Sequence, residues 1–278
     1  MEQDLKIAVL IDADNISEKY IKIIMDETAN IGIATYKRIY RDFTSPHMNS
    51  WKTVLLNNSI IPMQQYGYTT GKSSTDAAMI IDAMDILYSG NVDGFCIVSS
   101  DSDFTRLVAR LREAGMVVVG MGESKTPKPF IAACNQFKYL DILYANSLKE
   151  AASANRAAKE KARRLKETAA APAAPSSAKT KSKQKEEAVP APAPQTDLDT
   201  ITDSILSIVE EGSDEDGWMF VGDVGNQLAK RYPDFDVRNF GFKKLSVFLE
   251  ALNSFEVRKV RATGSRNIQL VYIRAKNS

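Results

Sequence analysis

Three separated stretches of this chain carry residue types suited to holding a hard cation. Asp12, Asp14 and Asn15 close the apolar run that begins at Lys6. Asp76 follows Gly71-Lys72-Ser-Ser-Thr75, and Asp101 and Asp103 lie within Ser99-Ser-Asp-Ser-Asp-Phe104. Carboxylates that converge in one cleft repel one another and are not buried unpaired, so a cation normally joins them. Oxygen ligands without His or Cys select Mg²⁺ or Mn²⁺ over zinc. Such ions activate water and neutralise charge developing on a phosphodiester, so the chemistry indicated is metal-dependent phosphodiester hydrolysis. The competing reading of any single aspartate is a helix cap, a role that Asp101 or Ser102 also fits. Asp14 need not face the same cleft as Asp12, and Asp82 and Asp85 read as surface or helix-pairing charges.

The elements that must position these residues are legible from hydrophobic periodicity. Lys6 to Asp12 reads as a buried strand, followed by a helix from about Ile16 to Thr28. Ala34 to Asp42 and Ile60 to Tyr66 are strand-like, with a helix over Pro46 to Leu56 between them. Ala77, Ile80, Ile81, Met84 and Leu87 recur at helical spacing across Ser74 to Tyr88. Gly94 to Ser99 and Met116 to Val119 supply a fourth and a fifth strand, separated by a helix over Phe104 to Glu113 that Gly115 ends. Strands alternating with helices imply a mostly parallel sheet covered on both faces. In such sheets sites form beyond the carboxyl ends of the strands, where strand order reverses. The first and fourth strands are expected to be neighbours at that point. Asp12, Asp101 and Asp103 then share one rim, and Asp76, in the first turn of the third helix, joins them.

The 278 residues leave room for about two domains. No apolar run reaches the roughly 18 residues of a membrane span, and the first residues lack the features of a signal peptide. Cys96 and Cys134 are too few and too far apart for a disulfide framework or a zinc knuckle, which suits a reducing, cytoplasmic setting. His47 is the only histidine, so a metal-free mechanism run by two imidazoles is excluded. Residues 1–148 hold the alternating pattern. Residues 149–195 are rich in Ala, Lys, Glu and Pro, helical to about Thr168 and flexible beyond it. Residues 196–278 show three helical periods and two β-rich runs around Thr263-Gly264-Ser265, which suggests a winged helix.

Val9-Leu-Ile-Asp-Ala-Asp-Asn15, Gly71-Lys-Ser-Ser-Thr-Asp76 with Ala77-Ala-Met-Ile-Ile-Asp82, and Ser99-Ser-Asp-Ser-Asp-Phe104, in that order, resemble the NYN domain. More narrowly they resemble the LabA-like group of PIN-type ribonucleases. The resemblance implies a PIN-like (Rossmann-like) three-layer α/β/α fold and a Mg²⁺- or Mn²⁺-dependent endoribonuclease. By position, Asp12, Asp76, Asp101 and Asp103 match the family's acidic ligands, and Asn15 matches the asparagine that helps hold the first aspartate and substrate. Gly217-Trp218, Val221-Gly222, Tyr232-Pro-Asp-Phe-Asp236 and Phe240-Gly-Phe-Lys-Lys-Leu245 resemble an OST-HTH, or LOTUS, domain. That resemblance implies a winged-helix-like module that binds RNA or a protein partner. Trp218, Phe240 and Phe248 read as core packing.

Charge sorted by segment sharpens the expectation. The net charge of +1 combines −3 over residues 1–150, +6 over 151–194 and −2 over 195–278. Within the last segment, 195–227 has nine acids and no bases, whereas 228–278 has 11 bases against four acids. Lys243, Lys244, Arg258, Lys259, Arg261 and Arg266 are therefore candidates to line one phosphate-binding face. Lys72 is a candidate phosphate contact at the acidic rim, and Tyr66 and Tyr68 are candidates to stack on unpaired bases. The expected activity is endoribonuclease cleavage of single-stranded RNA, helped by a tethered LOTUS module that raises the local concentration of RNA. Two other readings fit less of the sequence. Asp12-Ala-Asp14 mimics the paired aspartates of haloacid-dehalogenase-like phosphatases, and a nuclease-derived scaffold would bind RNA or protein without cutting.

Overall fold

The computed structural model describes residues 4–44, 49–66, 74–167, 192–261 and 269–276. The first domain is built on six parallel strands: β1 (Leu5–Asp12), β2 (Gly32–Arg41), β3 (Ile61–Gln64), β4 (Gly94–Val98), β5 (Val117–Gly122) and β6 (Gln136–Tyr139). Their order is β3-β2-β1-β4-β5-β6, with β1 hydrogen-bonded to both β2 and β4. The reversal of strand order thus falls between β1 and β4, as expected from the sequence.

Helices α1 (Ile21–Ile31), α2 (Asn49–Asn58), α3 (Ser74–Ser89), α4 (Thr105–Glu113), α5 (Lys128–Ala133) and α6 (Leu140–Glu167) cover the sheet. Alternate residues of the central strands feed two separate cores. Ala8, Leu10, Phe95 and Ile97 pack with Met79, Ala83 and Ile86 of α3 and with Val108 and Leu111 of α4. Ile7, Val9, Ile11, Cys96 and Val98 pack with Ile21 and Ile24 of α1 and with Trp51 and Leu55 of α2. A strand buried on both faces must read as a continuous apolar run, which is why Ile7 to Ile11 contains no polar residue.

Two details depart from the sequence expectation. The first helix is preceded by a 3-10 turn at Glu18–Tyr20, so it starts at Ile21 and runs on to Ile31. The sixth strand was not expected, because four residues leading straight into a helix carry no periodicity. None of the described helices is long and apolar enough to cross a membrane.

The second domain comprises α7 (Leu198–Gly212), β7 (Met219–Phe220), α8 (Val221–Arg231), α9 (Leu245–Ala251), β8 (Phe255–Arg261) and β9 (Gln269–Ala275). Its strands pair antiparallel in the order β7-β9-β8. Ile201, Ile205 and Ile208 of α7, Val224 and Leu228 of α8, Phe248 and Leu249 of α9 and Ile273 of β9 form its own core.

The two domains touch through a polar junction. The Phe137 amide donates to the Pro233 carbonyl at 2.7 Å, so the second domain caps the edge strand β6. An uncapped edge would present open backbone groups. The Arg238 guanidinium donates to both Glu27 oxygens, at 2.6 and 2.8 Å, and also to Asp236 at 2.7 Å. Lys138 donates to Asp236 at 2.9 Å. The Tyr139 hydroxyl and the Thr196 hydroxyl both donate to Asp234 at 2.9 Å, and Asp234 is buried. The sequence suggested two units joined only by a tether; the described residues show them in direct contact. The segment expected to be flexible, beyond about Thr168, lies largely outside the described residues.

Candidate metal centre

Asp12 ends β1 and is 1% exposed, the most buried acid of the first domain among the described residues. Each of its oxygens accepts two hydrogen bonds. Oδ1 takes the amides of Asp14 (3.0 Å) and Asn15 (3.3 Å), and Oδ2 takes Asn15 Nδ2 (2.8 Å) and Ser99 Oγ (2.7 Å). Burial raises the Asp12 pKa above the ordinary carboxylate value, and these donors, led by Ser99 and Asn15, offset part of that rise. Ser99 links the two halves of the rim: its Oγ donates to Asp12 and accepts the amide of Asp101 at 3.0 Å.

Beyond β4 the chain turns sharply, and Phe104, fully buried, pins the turn into the core. Asp101 caps the short 3-10 turn Ser102–Phe104 by accepting the Asp103 amide at 2.9 Å, so the capping reading describes one of its oxygens. Asp76 lies in the first turn of α3, where the helix dipole favours a carboxylate. Each of Asp76, Asp101 and Asp103 places a carboxylate oxygen within 4.8 Å of the others. Two unit charges at that spacing repel by about 3 kcal/mol at a protein surface, less in salt. No Lys or Arg pairs with Asp101 or Asp103 among the described residues. An all-oxygen donor set that converges in this way fits a hard divalent cation. Asp12 is not one of the three, but holds the loop that carries two of them.

The neighbouring strand ends complete the rim. Gly122 ends β5; a side chain there would lie 2.6 Å from the Ser99 carbonyl and 2.6 Å from Thr126 Oγ1, so only glycine lets β5 close against the Ser99-Ser100 turn. Ser100 Oγ accepts the Glu123 amide at 2.9 Å. The Glu123 carboxyl is raised by burial but held below its ordinary value overall by Lys125 and by the Tyr20 hydroxyl. On the other flank Arg41 donates to the Ala13 carbonyl at 2.6 Å and pairs with Asp14 at 3.2 Å. Asp14 therefore belongs to an ion pair at the rim rather than to the aspartate trio.

Family comparison now decides what this fold is. Residues 6–141 match the NYN domain, and residues 196–266 match the OST-HTH/LOTUS domain. The chain carries an NYN domain followed by an OST-HTH/LOTUS domain. A protein of Methanocaldococcus jannaschii described as uncharacterized is 25% identical over 121 residues, covering 42% of this chain and 47% of that protein. The chain thus matches about half the length of that relative. A crystal structure of a protein of unknown function from Vibrio parahaemolyticus shares 20% identity and a TM-score of 0.43, over 51% of this chain and 96% of that one. A solution structure of an uncharacterized protein from Nitrosomonas europaea shares 33% identity and a TM-score of 0.25, over 36% and 94%.

Other residues singled out in the sequence are placed differently by the NYN and LOTUS domains. Lys72, Tyr68 and Arg266 lie outside the described residues. Asp82, read as a surface or helix-pairing charge, instead faces inward and binds both Arg38 and the buried hydroxyl of Tyr40. In the LOTUS domain the expected basic face is divided. Lys243 pairs with Glu150 of α6 at 2.6 Å, and Lys259 pairs with Glu250 at 2.7 Å. Along β8, Arg258 alternates with Lys259, so they point to opposite sides of the sheet. Phe248 is fully buried and Phe240 packs against the LOTUS core, as read from the sequence. Trp218 is outside that core: Arg258 and Arg274 lie over its ring, 5.8 and 4.8 Å from the centroid.

Proposed function

We propose that the chain is an endoribonuclease dependent on Mg²⁺ or Mn²⁺, acting on single-stranded RNA that the LOTUS domain helps to hold. The observation that carries this reading is the convergence of Asp76, Asp101 and Asp103 within 4.8 Å on the rim of an NYN domain. These three carboxylates would hold the cation. When bound, it supplies a Lewis acid for a phosphate oxygen and lowers the pKa of a water. The protein's own part is positioning. Asp12 fixes Ser99, Ser99 receives the Asp101 amide, and Asp101 in turn receives the Asp103 amide. Asn15 closes the set by tying the β1 turn to Asp12. Asp12 has both oxygens fully subscribed, so it acts here by rigidity; a cation reaching it would displace one of its four donors.

The test is cleavage of labelled single-stranded RNA by the purified chain with Mn²⁺, set against Asp76→Asn and Asp101→Asn. Internal cuts that need Mn²⁺ and vanish in both variants support the proposal. Equal cleavage by all three proteins, or undiminished cleavage in chelator, overturns it.

A further inference from the structure

The three-stranded sheet of the LOTUS domain has a face its core does not use. Met219, Val257, Val271 and Ile273 point inward. Strand alternation therefore turns Phe220, Arg258, Val260, Leu270, Tyr272 and Arg274 outward. Phe220 pairs with Tyr272 across the sheet, and Tyr272 pairs with Arg258, so two rings and a guanidinium form one row. The Phe220 and Tyr272 ring centroids are 5.7 Å apart, and both residues are half-buried at the edge of solvent. Phe220 also lies against Gly222, where a side chain would come within 2.4 Å of the ring, so the glycine leaves the ring room. Trp218, beside this row, holds the Arg258 and Arg274 side chains over its own face.

We infer that this outer face is a base-stacking platform for single-stranded RNA. Aromatic rings beside guanidinium groups, here inclined at 57° to each other, accept any unpaired base, because every base offers a π-face. Of the charged residues on β8 and β9, this face carries Arg258 and Arg274 against Glu256 alone, a small positive excess that suits a polyanion. Arg258 meets no carboxylate among the described residues. Arg274 is shared with Glu256, and the acidic turn Asp214–Asp216 borders the Trp218 end. That turn repels phosphates, so the bound RNA crosses the sheet over Phe220, Tyr272 and Arg258. The platform rests on the reading that RNA is the ligand, yet is independent of cleavage.

The experiment uses the full chain in chelator, so that nothing is cut, and titrates a labelled single-stranded oligoribonucleotide. Tyr272→Ala and Arg258→Ala are each expected to weaken binding by about tenfold, the effect of losing one stacked base or one desolvated contact. Arg258→Ala should also lower the salt slope by about one unit. RNA should change the tryptophan emission of the wild type, and Trp218→Phe should abolish that change because Trp51 is buried. A duplex of the same sequence should bind more weakly than the single strand. Folded Tyr272→Ala and Arg258→Ala proteins, checked by circular dichroism, that bind RNA as well as the wild type overturn the platform. So does RNA binding that leaves Trp218 emission unchanged. Binding is read in chelator and cleavage in Mn²⁺, so the two readings fail separately.

Discussion

Glu27, Asp234 and Asp236 all lie at the junction of the two domains, and Asp76, Asp101 and Asp103 meet at the rim of the sheet. Both are groups of three carboxylates, but their surroundings differ. At the junction, Arg238 spans Glu27 and Asp236, Lys138 adds a second cation to Asp236, and two hydroxyls satisfy Asp234. Burial works to raise the Asp236 carboxyl, and Arg238 and Lys138 overcome it, leaving the group well below the ordinary carboxylate range. At the rim, oxygens converge to within 4.8 Å, and Asp101 and Asp103 have no cationic partner among the described residues. A carboxylate group that brings its own cations is complete and serves as glue; oxygens that converge as those at the rim do offer the donor set a hard cation would take.

Removing one rim carboxylate is the most direct way to break that contrast. Asp101→Asn is expected to lower Mn²⁺-dependent cleavage by more than about a hundredfold, since even outer partners of a bound metal cost 10–100-fold. The same change should remove the thermal stabilisation that Mn²⁺ is expected to give the wild type, about 3 kcal/mol at a hundred times Kd. A calorimetric scan with and without Mn²⁺ checks it. An Asp101→Asn protein still stabilised by Mn²⁺ would mean that the rim is not the binding place.

Arg238→Ala is the matching change at the junction. It leaves Glu27, 8% exposed at its side chain, and Asp236, 11% exposed, without their shared guanidinium. Breaking a buried pair from one side costs about 3–5 kcal/mol, and the low end applies here because the Arg238 side chain is itself 36% exposed. The expected result is two melting transitions in place of one, with faster hydrogen exchange at the Phe137 amide that β6 gives to Pro233. Retained cooperativity would show that the clamp is incidental to docking.

The rim was far more legible in the sequence than the junction. Asp12, Asp76 and Asp101 could be placed on one edge because apolar runs locate strands, and the carboxyl ends of neighbouring strands locate the rim. The repulsion that would make it a metal site follows from residue type alone. Nothing comparable marks Glu27 and Arg238, which are 211 residues apart and pair only once the domains have docked. Asp82 was misplaced for the same reason, because its partners Arg38 and Tyr40 belong to a strand rather than to its own helix. Trp218 read as core because a large aromatic usually is, whereas the side of the sheet it takes depends on strand register, which the sequence does not state. The fourth-to-fifth strand succession was plain, but the four-residue β6 is defined by its neighbour and by the loop that caps it.

Acid should separate the two groups again, by a smaller margin. A carboxyl whose folded pKa is depressed contributes stability that is full above its unfolded pKa and is lost as pH falls through the folded value. For Asp236 the junction should thus hold at neutral pH and begin to weaken below about pH 4, the ordinary aspartate value. Asp12 runs the other way: its pKa is raised by burial, so protonating it relieves the β1 turn instead of loosening it. Denaturant titrations at stepped pH should show acid lability in the wild type that Asp236→Asn flattens. Equal slopes in the two proteins would remove Asp236 from the account.

The smallest expected effect marks where the junction ends. Lys243 reaches Glu150 at 2.6 Å, a shorter contact than Lys138 makes with Asp236 at 2.9 Å. Distance alone would rank it the stronger pair. Exposure reverses the ranking: the Lys243 and Glu150 side chains are 79% and 60% exposed, against 17% and 11% for Lys138 and Asp236. Water and salt screen the outer pair, and ordering two long side chains cancels much of what remains. Lys243→Ala should therefore shift stability by less than about 0.5 kcal/mol and leave the domains docked. Lys138→Met, which keeps the stem and removes only the charge, should cost more than Lys243→Ala despite the longer contact. If denaturation midpoints rank the two the other way, burial is not what distinguishes glue from surface charge at this junction.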